Sequence, residues 1–187
     1  MDAETAELRV LDSAEALFNE RGVQSVGMDA IRTASGVSLK RLYQLFPSKD
    51  DLVAAVLRRR SAASDEAILT HARPGASPRE RILDVFDHLA EWFAQPTFRG
   101  CNFINSFGEL GGVSGEVTEL ARAHKQSLNN HFRVLVSAAG GPPLLADQLA
   151  ILANGAMATA GIMGTPETAG QARAAAETLL DAALPRP

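Results

Sequence analysis

The chain has 187 residues, of which 46% are hydrophobic, and it carries a formal net charge of −4. This length suits one or two compact domains, and the sequence contains no run of about 18 apolar residues that could cross a bilayer. The single cysteine excludes a disulfide within the chain. The acidic N-terminal stretch lacks the basic start and apolar core of a signal peptide, so we expect a cytoplasmic protein.

The first helical pattern lies ahead of residue 22. Val10, Ala14 and Leu17 recur at spacings of four and three, which is the period of one helix face. Gly22 is typical of a helix stop. No later segment shows the alternation of period two that predicts a strand, and the core must be built mainly from Leu, Val, Ile and Ala. We therefore expect an all-α fold.

Two short helical patterns follow, and they are separated at Ser35-Gly36. The first has an apolar face that includes Ile31. Gly36 can take the left-handed conformation that a sharp turn between two helices needs, and Val37 can fill the angle between them. Ser38 is placed to accept a hydrogen bond from a free backbone N–H in the first turn of the second helix. The arrangement predicts a helix-turn-helix.

The second of these helices carries apolar residues on one side and cationic or amide residues on the other. Leu39, Leu42 and Phe46 are expected to face inward. Six cations and two acids lie between Ser38 and Arg60, so this part of an acidic chain is locally basic. We interpret the run Arg58–Arg60 as an ordinary solvated face.

The segment resembles the DNA-binding half of the TetR family of bacterial transcriptional repressors. The resemblance covers about a quarter to a third of the chain and depends on several motifs at fixed spacings. These are Val10–Phe18, Glu20–Gly22, Gly36–Ser38, Leu42-Tyr43, Phe46–Lys49 and Asp51-Leu52. It implies a homodimer that binds a palindromic operator in double-stranded DNA and is released by a small molecule. Repression rather than activation is the expected outcome.

Two positions depart from the family pattern. Val26-Gly27 stands where many members have Thr or Ser opening the first helix of the motif, and Asp29 is expected to cap that helix instead. Arg32 stands where a small alanine is usual. Its long side chain could lie near the helix crossing or near the DNA backbone, and the sequence does not decide between them.

The role of each residue on DNA is assigned from how far its side chain can extend into the major groove and from the family resemblance. Side chains that reach base edges in the major groove read sequence, whereas phosphate contacts only hold the protein in register. We assign Ser38, Lys40, Arg41 and Gln44 to the face that reads bases. The resemblance gives phosphate contacts to Tyr43 and Lys49. Leu39, if exposed, could instead touch a thymine methyl group.

Helical patterns continue beyond the motif. A fourth helix is expected from Lys49 toward His71, and Ser77-Pro78 should open the next one after a Pro/Gly loop. Further helices are expected at 101–110, in a long segment ending near Gly140, at 144–163 and at 167–184. With about nine helices in total, the resemblance implies a DNA-binding domain over residues 1–48 and a ligand-binding and dimerisation domain over 49–187.

The last two predicted helices are candidates for the dimer interface. Leu149–Met163 is apolar nearly all round and rich in small residues, so it could be covered on several sides and approach a partner helix closely. The resemblance implies that these two helices pair with their copies. The alternative is that both are internal core helices.

The middle of the chain is expected to hold the pocket for an inducer that is largely apolar. Asn102, Asn105 and Glu109 form a polar line on an otherwise apolar helix; they could bind ligand, cap neighbouring helix ends or face solvent. Cys101 could be a redox sensor or simply a small apolar residue. The other candidate lining residues are Trp92, Phe93, Phe103, Phe107, Leu120, His124, Leu128, Asn154 and Met157.

Catalysis is the competing class, and we expect no enzyme. The four histidines show no metal-ligand spacing, and the sequence contains no nucleophile elbow, phosphate loop or dinucleotide fingerprint. No cofactor or metal is expected. A hydrolase or transferase would need Cys101 and His124 to act together. A third alternative keeps the fold but binds a ligand or a protein partner without operator DNA.

Overall fold

The computed structural model describes residues 2–71 and 73–184, and these residues form helices and connecting turns without strands. The all-α prediction is confirmed, and the helices of the described chain match the expected number. They are α1 (Ala3–Arg21), α2 (Met28–Ser35), α3 (Leu39–Leu45), α4 (Lys49–His71), α5 (Pro78–Phe93), α6 (Asn102–Leu110), α7 (Gly115–Ala138), α8 (Pro143–Met163) and α9 (Glu167–Ala183). None of the described helices has both the length and the apolar character needed to cross a membrane.

The described residues form two compact units. The first contains residues 2–62 and 102–122, and the second contains residues 63–101, apart from residue 72, and 123–184. The first unit therefore combines α1–α3 and the start of α4 with α6 and the start of α7. The predicted functional boundary between residues 48 and 49 remains a prediction. Residues 1, 72 and 185–187, which the predicted domains include, lie outside the described residues.

The corners of the first unit follow the local sequence. Gly22 ends α1 with a positive φ of 81°, and Gly36 ends α2 in the left-handed conformation with φ 67°. Val37 is buried between α2 and α3, as expected. The Ser38 side chain accepts a hydrogen bond from the backbone N–H of Arg41 at 3.3 Å and so caps α3. The predicted helix-turn-helix is present.

One expected core residue of the first unit is exposed. Leu42 and Phe46 are buried, but Leu39 is 42% exposed, so the expectation that all three face inward was wrong. Leu39 is the first residue of a seven-residue helix, and Val37, two positions earlier, is the buried residue at this corner. Its side chain is therefore left at the open end of α3.

The second unit is built on α5, α8 and α9, which pack against one another. The expected stripe on α5 is buried and consists of Ile82, Phe86, Leu89 and Phe93. The rings of Phe86 and Phe132 lie 6.0 Å apart, which brings α7 into the same core. Ser77 and Glu80 form a reciprocal capping box at the start of α5, with Pro78 in the first turn, as predicted.

Candidate nucleic-acid interface

One side of α3 presents polar side chains to solvent. Ser38, Lys40, Tyr43 and Gln44 are exposed, and Arg41 is half-buried. The Arg41 Nη1 atom donates a hydrogen bond to Gln44 Oε1 at 3.3 Å, one helical turn further on. The structure thus brings five of the six residues assigned to DNA contacts onto or beside one short helix.

The sixth residue, Lys49, begins α4. Its ammonium group donates a hydrogen bond of 3.4 Å to the backbone carbonyl of Gln24, in the turn between α1 and α2. The start of α4 is fixed by Ser48 and Asp51: the Asp51 carboxylate accepts from both the backbone N–H and the hydroxyl of Ser48, at 3.0 and 2.7 Å. The position of Lys49 is thus fixed by the turn between α1 and α2, which its side chain contacts, and by the contact between Ser48 and Asp51 at the start of α4.

The start of α2 differs from the expectation. Gly27 occupies the cap position and no side chain caps the helix, so the prediction that Asp29 would do so was wrong. The Asp29 carboxylate instead accepts a hydrogen bond from Arg32 Nε at 2.7 Å, and this bond lowers the pKa of Asp29. Asp29 lies within the helix, one turn before Arg32, so the two side chains meet on the helix surface.

The basic run at 58–60 is paired with acids of the first unit. Arg59 bridges Asp12 and Glu15 of α1 at 2.7 and 2.6 Å, and Arg58 pairs with Glu116 of α7. The run is exposed or half-buried, as the interpretation of a solvated face expects, and its ion pairs with distant acids are an addition that the sequence did not show. A sequence pattern cannot reveal acids that lie 44–58 residues away.

The candidate ligand residues fall in different units. Asn102, Phe103, Asn105, Phe107, Glu109 and Leu120 belong to the first unit, and Trp92, Phe93, His124, Leu128, Asn154 and Met157 belong to the second. Within the first unit, Asn105 and Phe107 are exposed, whereas Phe103 is buried. The ligand assignment stays a prediction for both groups.

Glu109 has a defined partner in the first unit. Its carboxylate accepts hydrogen bonds from the backbone N–H groups of Val23 and Gln24, at 3.0 and 2.7 Å. These N–H groups lie in the turn between α1 and α2 and not at a helix end, so this contact is none of the alternatives left open by the sequence. The ligand role of Glu109 stays a prediction. Gln24 was missed by sequence reasoning because nothing local marks a contact with a residue 85 positions away.

In the second unit, one candidate residue has an unusual hydrogen-bonding state. Asn154 Nδ2 donates to the carbonyl of Ala150 at 2.8 Å, but the buried Oδ1 atom has no hydrogen-bond partner among the described residues. Trp92 and Phe93 belong to an aromatic cluster around Phe98, with ring centroids 5.0 and 4.6 Å from it. His124, Leu128 and Met157 are buried.

Cys101 is buried in the second unit, and Lys125 Nζ lies 3.2 Å from its Sγ atom. Among the described residues, no group of three or more His, Cys, Asp or Glu side chains could hold a metal ion.

The outer side of α8 has the opposite character from that of α3. Leu144, Ile151, Ile162 and Met163 are all more than 60% exposed. Along the same side lie Gly155 and Thr159, which are small and also exposed. Residues 144, 151, 155, 159 and 162 are spaced by seven, four, four and three, so they share one side of the helix.

A glycine corner, a serine-capped short helix and an outward polar face define a helix-turn-helix protein of the DNA-binding type. Residues 10–56 match the family model described as bacterial regulatory proteins, tetR family. A solved structure of a TetR-type transcriptional regulator from Streptomyces avermitilis is 40% identical, with a TM-score of 0.85 over 95% of this chain and 97% of that one. The chain belongs to the TetR family of transcriptional regulators.

Two relatives from Mycobacterium tuberculosis are more distant. An uncharacterised HTH-type transcriptional regulator is 33% identical over 137 residues, which make up 67% of this chain and 64% of that protein, so the chain spans just under two thirds of that relative. The HTH-type transcriptional repressor KstR is 32% identical over 74 residues, 40% of this chain and 34% of KstR.

Proposed function

We propose that the protein is a homodimeric transcriptional repressor that binds a palindromic DNA operator and is released by a small molecule. The observation that carries the proposal is the exposed polar side of α3, with Lys40 and Gln44 in solvent beside Arg41. The buried side of the same helix is anchored by Leu42. A short helix held in this way can enter the major groove without being deformed.

The contacts divide into two kinds. Arg41 and Lys40 have the chemistry to pair with the O6 and N7 atoms of guanine, and Gln44 can pair with adenine. Tyr43 and Lys49 are proposed to hold phosphates, which fixes the register of α3 in the groove. The exposed Leu39 is suited to contact a thymine methyl group.

Dimerisation is proposed through the exposed apolar sides of α8 and α9. One short recognition helix gives a small interface, and helix-turn-helix proteins commonly gain affinity by presenting two of them to half-sites about one helical turn apart. Leu144, Ile151 and Ile162 leave apolar surface in water on α8, which burial against a second copy would remove. On α9 the exposed residues Gly170 and Ala174 are small enough for close helix approach.

An apolar small molecule with a hydrogen-bond donor is the proposed inducer. Buried polar atoms in proteins are nearly always hydrogen-bonded, and Asn154 Oδ1 is an exception among the described residues. The amide nitrogen of Asn154 is used by the carbonyl of Ala150, so the oxygen is the atom left without a donor. A donor on a ligand would satisfy it. Repression as the outcome is supported by the similarity to KstR, which is a transcriptional repressor.

The test is selection of bound sequences from a random duplex pool, followed by measurement of the number of chains per selected duplex. The proposal expects an enriched inverted repeat occupied by two chains, and a steep loss of affinity with salt because several phosphates are neutralised. Screening small molecules for release of the duplex then tests the inducer. Recovery of no enriched sequence would refute the DNA-binding function.

A further inference from the structure

Helix α6 and the turn that joins α1 to α2 are connected by hydrogen bonds in both directions, because a side chain of each segment bonds to the backbone of the other. Glu109 Oε1 and Oε2 accept from the backbone N–H groups of Val23 and Gln24, at 3.0 and 2.7 Å. In return, Gln24 Nε2 donates to the backbone carbonyl of Glu109 at 2.5 Å. We call this group the α6 latch: Glu109, Gln24 and the backbone N–H of Val23.

The latch provides a hydrogen-bond acceptor for two backbone N–H groups that lie outside any helix, those of Val23 and Gln24. Gly22 ends α1, so the N–H groups of the next two residues lie outside that helix and bond to Glu109 instead. A Cβ atom at Gly22 would lie 3.0 Å from Glu109 Oε1, so the carboxylate approaches this backbone closely. Hydrogen bonds to an ionised carboxylate are stronger than neutral ones. Val23 is 3% exposed, and loss of the carboxylate would therefore leave a poorly hydrated N–H unpaired.

The turn held by the latch touches the proposed DNA surface. The carbonyl of Gln24 accepts the hydrogen bond from Lys49 Nζ, the proposed phosphate contact. Four residues after Gln24 the chain enters α2, and α2 packs against α3. Gln24 therefore connects α6 with Lys49. Its N–H and its side chain bond to Glu109 of α6, and its carbonyl accepts a hydrogen bond from Lys49.

The packing of α6 leaves a small space beside the latch. A cavity of about 20 Å³ lies beside the latch, lined by α1 residue Phe18, α4 residue Val53, and Asn102, Ser106 and Glu109 of α6. This volume is comparable to what a single water molecule needs. Atoms that line a void lose van der Waals contacts, so the packing next to the latch is weaker than in a filled core.

From these contacts we infer that Glu109 is a positioning residue for DNA binding. It fixes the α1–α2 turn relative to α6 and thereby sets the position of Lys49, so that a displacement of α6 changes a phosphate contact. The inference depends on the proposed function, because it assigns Lys49 to DNA. It adds a residue that touches neither DNA nor inducer but connects α6 to the reading surface.

The experiment compares Glu109→Gln with Glu116→Gln in the full-length protein on the selected duplex. Both substitutions remove one negative charge from the first unit, but Glu116 pairs with Arg58 and does not contact the turn. We expect Glu109→Gln to weaken binding about tenfold and to reduce the slope of log affinity against log salt by roughly one, as loss of one phosphate contact does. Glu116→Gln should stay within about twofold of wild type, with an unchanged slope.

A double-mutant cycle identifies the route through Lys49. If Glu109 acts by positioning that lysine, Glu109→Gln should have little further effect on affinity and slope in a Lys49→Gln background. Gln24→Met, which removes the side-chain amide and keeps the length, should give a smaller change in the same direction. It also provides the comparison if Glu109→Gln lowers the unfolding temperature.

The outcomes separate the two proposals. If the wild type binds the duplex and Lys49→Gln lowers the slope, but Glu109→Gln and Gln24→Met behave like Glu116→Gln, the latch is overturned and the DNA-binding function stands. Equal losses from Glu109→Gln with and without Lys49 also overturn it. If the wild-type protein binds no duplex, both proposals fail.

Discussion

The exposed side of α3 is polar, whereas the exposed side of α8 is apolar. Lys40, Tyr43 and Gln44 place charge, a phenol and an amide in water on a seven-residue helix. On α8, Ile151 and Ile162 leave large aliphatic surface in water, 72% and 85% exposed, on a 21-residue helix. Polar groups suit a phosphate-rich groove, whereas exposed aliphatic groups suit another protein surface.

The two helices also differ in what holds them. Glycine at the preceding corner, a serine cap and a few buried residues are enough for α3, and all of these are local in sequence. Helix α8 has no side-chain cap and is held by packing with α9 and α5. Local features therefore orient α3, the proposed recognition helix, while burial in the second unit positions the proposed dimer surface. Substitutions on α3 and on α8 should therefore affect different properties of the protein.

The largest effect is expected from a charge on α8. Ile151→Asp should produce a monomer, because a carboxylate cannot be buried between two copies without a partner. Operator affinity should fall by roughly 10²–10⁴-fold, the usual gain from linking two binding modules. Sedimentation and fluorescence anisotropy measure the two effects. Val113→Asp, at an exposed apolar residue outside α8, is the control and should remain a dimer.

Next in size is the difference between two leucines of α3. Leu42→Ala should destabilise the protein by about 2–5 kcal/mol, because Leu42 is fully buried and its removal leaves a cavity. Leu39→Ala should change the free energy of unfolding by less than about 0.5 kcal/mol. Urea denaturation gives both values. Equal losses would mean that Leu39 is part of the core after all.

Substitutions on the polar side of α3 should distinguish side chains that contact bases from side chains that contact phosphates. Arg41→Ala or Gln44→Ala should cost about 1–3 kcal/mol of discrimination at particular base pairs. Tyr43→Phe should weaken all duplexes alike, because a phosphate contact carries no sequence information. Binding to a panel of single-base operator variants measures this. Unchanged base preferences in the Arg41 and Gln44 variants would contradict the assigned roles.

A smaller effect is expected at the corner between α2 and α3. Gly36→Ala should cost about 1–2 kcal/mol, because φ is +67° there and an L side chain is strained in that conformation. Gly27→Ser should instead stabilise by roughly a few tenths of a kcal/mol, since it supplies the missing side-chain cap of α2. Thermal unfolding of the two variants should shift in opposite directions.

The smallest effect concerns pH. Burial, with a contribution from the charge of Arg81, lowers the pKa of His131 below its ordinary value of 6.5. The unfolded chain therefore takes up a proton first as the pH falls below 6.5, and stability is lost between that pH and the folded pKa. Denaturation at pH 7.5 and 5.5 should show a smaller loss for His131→Gln than for wild type. An equal loss would contradict the shift.

Sequence was a good guide to features that depend on neighbouring residues. Gly22, Gly36, Ser38 and Ser77 marked helix ends because caps and left-handed turns are local chemistry. The error at Asp29 shows the limit, since a nearby arginine took the carboxylate that was expected to cap α2. Local competition of this kind depends on side-chain geometry that spacing alone does not give.

Contacts across long sequence separations could not be predicted. Nothing near Glu109 marks Val23 as its partner, 86 residues earlier, and nothing near Arg59 marks Asp12. The same limit applies to the candidate ligand residues, which the structure divides between two units. A polar line on a helix identifies side chains that need partners, but the fold decides whether those partners are backbone, solvent or ligand.

The most direct test is a pair of selections from random duplexes, one with the wild-type protein and one with Arg41→Ala. The account predicts a two-fold symmetric site in the first pool and, in the second, lost preference at one or two base pairs placed symmetrically in both half-sites. An identical site in both pools, or a change confined to one half, would contradict reading of DNA by two copies of α3.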